Sequence, residues 1–174
     1  MMARQSQPTS EGRHYIGIDN GVSGSIGVIN HTATKAEFFP TPTRSCLNYT
    51  KEAKNVTRVD VEELEKLLAW YPNPLVLLER PMVNPGRFQA TASALRALEA
   101  TLIVLERLEI PFIYVDSREW QKPMLPNGIK GADNLKRASL DVGCRLFPHL
   151  KIELQRQKDS DGLLIAEWAR RERL

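Results

Sequence analysis

The sequence predicts an α/β domain with a mixed sheet of five strands, three antiparallel and then two parallel, flanked by helices. Three observations lead there. The apolar runs Tyr15-Ile16-Gly17-Ile18 and Ser25-Ile26-Gly27-Val28-Ile29 are separated by a turn containing Gly21 and Gly24, the pattern of an antiparallel hairpin. Leu75-Val76-Leu77-Leu78 has no polar side, which suits a central strand covered on both faces. Stretches with apolar residues at helical spacing alternate with the later strands, and strand-helix-strand units imply parallel pairing.

In chain order, a third strand is expected near Lys35 to Phe39, closed by Pro40. The stretch from Thr41 to Thr57 reads as a polar, irregular loop. Val59 to Trp70 carries Val61, Leu64, Leu67 and Leu68 at helical spacing, with Asp60 placed to cap it and Pro72 and Pro74 to stop it. After the Leu75–Leu78 strand and a loop marked by Gly and Pro, a long helix is expected from about Phe88 to Leu108. Its apolar stripe is Ala92, Leu95, Leu98, Leu102 and Leu105, which reads as core, with an Ala-rich flank suited to dimerisation. Pro111 to Val115 is the fifth strand, and helices follow at about Asp133 to Phe147 and Ser160 to Arg171.

A length of 174 residues suits one domain with a core of its own. Residues 1–13 read as a flexible N-terminal arm and residues 14–174 as the folded domain. With 42% hydrophobic and 26% charged residues, neither a fibrous repeat nor disorder is indicated. The long helix is interrupted by Arg96, Glu99, Glu106 and Arg107, so no membrane partner is expected. Cys46 and Cys144 sit apart without metal-ligand spacing and fit a reducing, cytoplasmic compartment, bacterial or phage-encoded; a short organellar presequence stays open as the alternative. None of His14, His31 and His149 is assigned to metal, and nothing calls for an organic cofactor.

The acidic residues carry the chemistry. Asp19 ends the first strand, Glu79 ends the fourth, and Asp159 and Asp161 stand at the mouth of the last helix. If the first and fourth strands are parallel neighbours, about 4.8 Å apart, Asp19 and Glu79 emerge at one edge of the sheet. Carboxylates so close repel each other unless a cation lies between them. Mg²⁺ or Mn²⁺ suits an all-oxygen site. Two such ions about 4 Å apart can activate water and stabilise the leaving oxygen of a phosphodiester. Gly17, Gly21, Gly24 and Gly27 are expected to let a nucleic-acid backbone approach the first two strands.

The net charge of +3 permits a nucleic-acid partner without requiring one, but basic residues crowd the region from Arg118 to Lys158. Arg118, Lys122, Lys130, Lys136 and Lys158 are candidates for phosphate contacts, with simple surface solvation as the bland reading of each. Arg87 and Phe88 open the long helix, where a helix N-terminus attracts phosphate. Phe88 reads equally as the first core residue of that helix. Trp120 either stacks on a base or packs beside the sheet, the second being the plainer reading.

Three blocks, Ile16-Gly17-Ile18-Asp19-Asn20-Gly21 with Gly24, Leu77-Leu78-Glu79-Arg80-Pro81, and Asp159-Ser160-Asp161-Gly162-Leu163-Leu164-Ile165-Ala166, resemble the signature segments of RuvC-type Holliday-junction resolvases. Ser117-Arg118-Glu119-Trp120 is similar to a segment of the branch with phage and plastid members. The resemblance runs from about residue 15 to 170. It implies an RNase H-like fold, a homodimer, and paired metal-dependent nicks across branched DNA, a four-way junction, with Asp19, Glu79, Asp161 and Asp159 as catalytic metal ligands. The chain departs from the pattern in having only Ser160 between the last two acids. Residues i and i+2 of a helix point about 200° apart, so both reach one site only if Asp159 precedes the first helical turn. That ranks Asp161 ahead of Asp159, for which capping of the last helix is the rival role. The competing functions are another RNase H-like nuclease acting on flaps or RNA–DNA hybrids, an actin-like or sugar-kinase-like ATPase, and an inactive junction-binding protein. The ATPases need two such lobes around a nucleotide, and one chain of this length supplies one.

Overall fold

The computed structural model describes residues 12–51 and 53–174, so most of the expected N-terminal arm lies outside the described residues. Of that arm, Arg13 is tied down, its guanidinium donating to the Leu174 carbonyl at 2.7 Å. Strands β1 (His14–Ile18), β2 (Ser25–Asn30) and β3 (Ala36–Pro40) form an antiparallel meander. β6 (Pro74–Glu79) and β7 (Phe112–Val115) add to it in parallel, giving the order β3-β2-β1-β6-β7. The five-stranded mixed sheet is therefore the one expected.

Helices cover both faces, and the two-residue period of the strands decides which side chain meets which helix. Ile16, Ile18, Ile26, Val28, Val76 and Leu78 pack with α1 (Val61–Ala69) and α2 (Phe88–Arg107). Tyr15, Ile29, Leu75 and Leu77 point the other way, into a core shared with α3 (Ser117–Met124), α4 (Ala132–Leu146), α5 (Lys151–Gln157) and α6 (Asp161–Glu172). α6 is the most deeply set of these, with Leu163, Leu164, Ile165, Ala166 and Ala169 all fully covered. Each Leu or Ile buried in this way contributes about 1.5–3 kcal/mol.

Gly17 and Gly27 stand on the α6 face of β1 and β2. A Cβ on Gly17 would collide with the Gly162 carbonyl, and one on Gly27 with the Leu163 backbone. Their expected role in admitting a nucleic-acid backbone is therefore wrong, because α6 itself occupies that space. Gly24 is pressed against the Asp19 carbonyl in the same way.

Further expectations change. The stretch 41–57 is not an irregular loop, since β4 (Thr43–Leu47) and β5 (Asn55–Val59) pair in it as a separate antiparallel ribbon. Its polar sequence follows from having almost no face to bury. The fully buried residues of α2 are Ala97, Thr101, Val104 and Leu105; of the expected stripe, Leu105 is among them and Leu98 and Leu102 pack against the same core, while Leu95 is exposed. Phe88 is 71% exposed and so is no core residue. Pro85–Arg107 is long and apolar enough to cross a membrane by length and composition, charges notwithstanding, although here α2 lays one face on the sheet. α3 and α5 were not expected as helices.

Candidate metal centre

The register puts Ile18 beside Leu78 on parallel strands, so the next residues, Asp19 and Glu79, leave the same sheet edge side by side. By alternation both fall on the face of Tyr15, Leu75 and Leu77, which is the face α6 covers. Their carboxyl groups are close enough to share a hydrogen bond. The glycine-lined contact draws the first turn of α6 down onto β1 and β2, and that turn begins with Asp161. Asp159 lies before the helix, the one placement in which both acids can reach a common point. Single ligand oxygens of Asp19, Asp159 and Asp161 all lie within 4.8 Å of one another. Glu79 stands beside Asp19 at the same sheet edge, next to this group of three.

Donors hold these side chains in place. The buried Trp120 indole donates Nε1–H to Glu79 Oε1 at 3.1 Å. The Ser139 hydroxyl makes a short hydrogen bond to Asp161 Oδ1. The backbone N–H of Asp161 donates to Asp159 Oδ1 at 3.1 Å, so Asp159 also performs the capping role weighed for it. Asn20 Nδ2 donates to the Ala94 carbonyl at 3.1 Å and ties the β1–β2 turn to α2. Trp120 is thus packed, as the plainer reading had it, but with a polar task that spacing alone did not suggest. Ser139 and Asn20 were not singled out in the sequence at all.

The electrostatics are those of crowded, poorly solvated acids. Burial pushes the Asp161 carboxyl up to about 7, and the charges of Asp159 and Asp19 add to the effect. Asp19 is held well above the usual carboxylate range, first by burial and then by Glu79 and Asp159. Glu79 is raised by burial too, although the Trp120 hydrogen bond pulls it back. Lys136 opposes the trend at Asp19 and Asp161. Asp159 Oδ2 is buried with no hydrogen-bond partner. An orphaned carboxylate oxygen inside an all-oxygen cluster fits a hard divalent cation, and Mg²⁺ or Mn²⁺ matches the donor set.

Raised acid pKa values make stability depend on pH. A carboxyl that keeps its proton more tightly when folded contributes stability that is complete below its ordinary value of 3.8 and is lost as pH rises toward about 7. In chelator, the melting temperature is expected to be higher at pH 5 than at pH 8, and Mn²⁺ is expected to raise it more at pH 8. A thermal melt unaffected by pH or by Mn²⁺ would contradict this electrostatic picture.

Asp19, Glu79 and Asp161 line one side of a cleft of about 510 Å³, and Arg87 and Lys136 line it with them. Arg118 and Lys122 belong to an adjoining hollow of about 340 Å³, which shares Gln121 and Leu135 with the cleft. Phe88 follows Arg87 at the start of α2 and is exposed there. The exposed Lys130 and Lys158 line neither space. Of the expected basic residues the structure therefore gathers Arg87 and Lys136 in the cleft with the acids, and Arg118 and Lys122 in the hollow that adjoins it.

The same architecture occurs in RuvC of Thermus thermophilus. A structure of that protein in complex with a Holliday junction substrate superposes with a TM-score of 0.56 at 14% identity, covering 92% of this chain and 96% of the other. A second Thermus thermophilus RuvC structure gives 0.51 at 14% identity, over 91% and 96%. This is a RuvC-like fold. No family model matches the sequence. No curated protein matches it either. The likeness to RuvC is thus one of backbone architecture, a mixed sheet between helices, and in this chain the acidic cleft opens at one edge of that sheet.

Proposed function

We propose that the protein is a metal-dependent endonuclease of the RuvC type that resolves four-way DNA junctions by paired nicks. One observation carries the reading: carboxylates from three distant segments meet at one sheet edge, Asp19, Glu79 and Asp161 lining a single cleft and Asp159 grouped with Asp19 and Asp161, on a fold that RuvC also has. Asp19, Glu79, Asp159 and Asp161 would hold Mg²⁺ or Mn²⁺, two ions per site. Bound there, the ions supply an activated water and neutralise charge on the leaving oxygen. The carboxylates fix the position of the reaction, and Lys136 offers a positive charge to the phosphate within the cleft. Arg87 does the same from the start of α2, with Phe88 beside it. Arg118 and Lys122 would take the backbone onward through the adjoining hollow. Lys130 and Lys158 remain more remote candidates.

Thermus thermophilus RuvC has been captured on a Holliday junction substrate, and the three sequence blocks resemble that family's. A homodimer would set two clefts against two opposed strands, so protein and junction would share a twofold axis. Affinity for the branch with phage and plastid members rests on Ser117-Arg118-Glu119-Trp120, which forms the first turn of α3 and contributes the indole on Glu79.

The test offers a labelled immobile four-way junction, a duplex, a flap and an RNA–DNA hybrid in Mg²⁺ or Mn²⁺. Symmetric, religatable nicks confined to the junction are expected, with binding that weakens steeply as salt rises. Preferential cutting of flap or hybrid would replace the substrate; binding without cutting in either metal would make the protein an inactive junction binder.

A further inference from the structure

Resting on the reading of the cleft as a metal centre, we infer that Trp120 and Ser139 are positioning residues that set which cation the site accepts. They do so by holding one oxygen of Glu79 and one of Asp161, so that each carboxylate offers its other oxygen to the ion.

The same arrangement occurs three times in the cluster. Trp120 Nε1–H occupies Oε1 of Glu79. Ser139 occupies Oδ1 of Asp161. The Asp161 N–H occupies Oδ1 of Asp159, whose Oδ2 is buried and unpartnered. Neither side-chain donor is free to swing away. Trp120 is 1% exposed, on a helix whose start is locked by a reciprocal capping box between Asp116 and Glu119. Ser139 is also 1% exposed, and its own carbonyl accepts from the Ser160 hydroxyl at 2.8 Å. One turn further along α4, Gly143 leaves no room between the helix and Ser160, because a Cβ there would lie 2.6 Å from the serine side chain. α4 and the start of α6 are therefore packed together without a gap.

Single-oxygen ligands favour a small cation. Mg²⁺ requires near-octahedral coordination by few protein oxygens, whereas Ca²⁺ takes 6–8 oxygens and readily accepts both oxygens of one carboxylate. A donor on one oxygen biases its carboxylate toward the first mode, and removing that donor allows the second. Donors of this kind also tune metal affinity by orienting the ligand.

The experiment titrates Mn²⁺ and Ca²⁺ calorimetrically into the full chain, Trp120→Phe and Ser139→Ala, with a thermal melt of each to establish folding. Trp120→Phe keeps one aromatic ring in the packing and removes the pyrrole part of the indole with its N–H; Ser139→Ala loses only a hydroxyl and decides the matter alone should the first variant not fold. Mn²⁺ affinity is expected to fall about tenfold in each variant, while Ca²⁺ affinity holds or rises, so that the preference narrows. Parallel losses for both ions, or no change in either, would overturn the inference and leave the metal centre intact. Wild-type protein that bound neither ion would instead overturn the metal centre itself.

Discussion

Asp19→Asn and Asp161→Asn are each expected to lose cleavage of a four-way junction in Mg²⁺ by more than about a hundredfold, the upper range for disturbing a mere supporting partner of a metal ligand. Junction binding should persist in both. The cause is local, because each change swaps a carboxylate oxygen for an amide of equal size and removes one ligand from a shared ion. Unfolding is not the explanation on offer. Each substitution deletes one of several like charges that burial and neighbours already disfavour, so the metal-free variants should melt no lower than the parent near pH 8. Glu79→Gln should behave likewise, with its Trp120 contact retained. Single-turnover cleavage and electrophoretic binding, measured together, check the claim; cleavage at the parental rate by any of the three would remove that residue from the centre.

The second large effect lies beneath the site. Gly27→Ala is expected to destabilise the fold by about 3 kcal/mol, at the upper end of the usual overpacking range. In a chain of this size that lowers the melting temperature by about 10 °C. The added methyl has no flexible side chain to displace, only the backbone of α6 at Leu163. Gly17→Ala meets the carbonyl of Gly162 and should cost as much. The same shift of α6 would carry Asp161 away from Asp19, so whatever folded protein remains should also bind Mn²⁺ poorly. Thermal melts with and without Mn²⁺ measure both effects, and a variant melting within a degree or two of the parent would show that the helix is not seated as described.

These two effects also mark what could be read in the sequence. The continuous apolar runs Tyr15–Ile18 and Leu75–Leu78 mark two buried strands, and on the condition that these pair in parallel, as β1 and β6 do, Asp19 falls beside Glu79. The departure at Asp159-Ser160-Asp161 carried its own geometric condition, and the structure meets it by starting α6 at Asp161. Strand alternation, applied to Gly17 and Gly27, would have aligned them with Tyr15 and Ile29 under a helix and not toward a ligand. β4 and β5 escaped notice because Arg44, Ser45, Thr57 and Arg58 are all exposed and show no apolar alternation. α3 is short and contains Pro123, yet Asp116 and Glu119 three residues apart formed a legible capping signal. α5 is seven residues long and buries only Leu154. Trp120 and Ser139 could not have been matched to Glu79 and Asp161 by any local pattern, since those contacts join residues 41 and 22 positions apart.

A shared ion site underlies all of these effects. An anomalous difference map from crystals grown in Mn²⁺ tests it directly. Density is expected within bonding distance of oxygens from Asp19, Glu79 and Asp161, with Asp159 Oδ2 turned toward it. Mn²⁺ bound elsewhere, with those carboxylates left uncoordinated at millimolar metal, would contradict it.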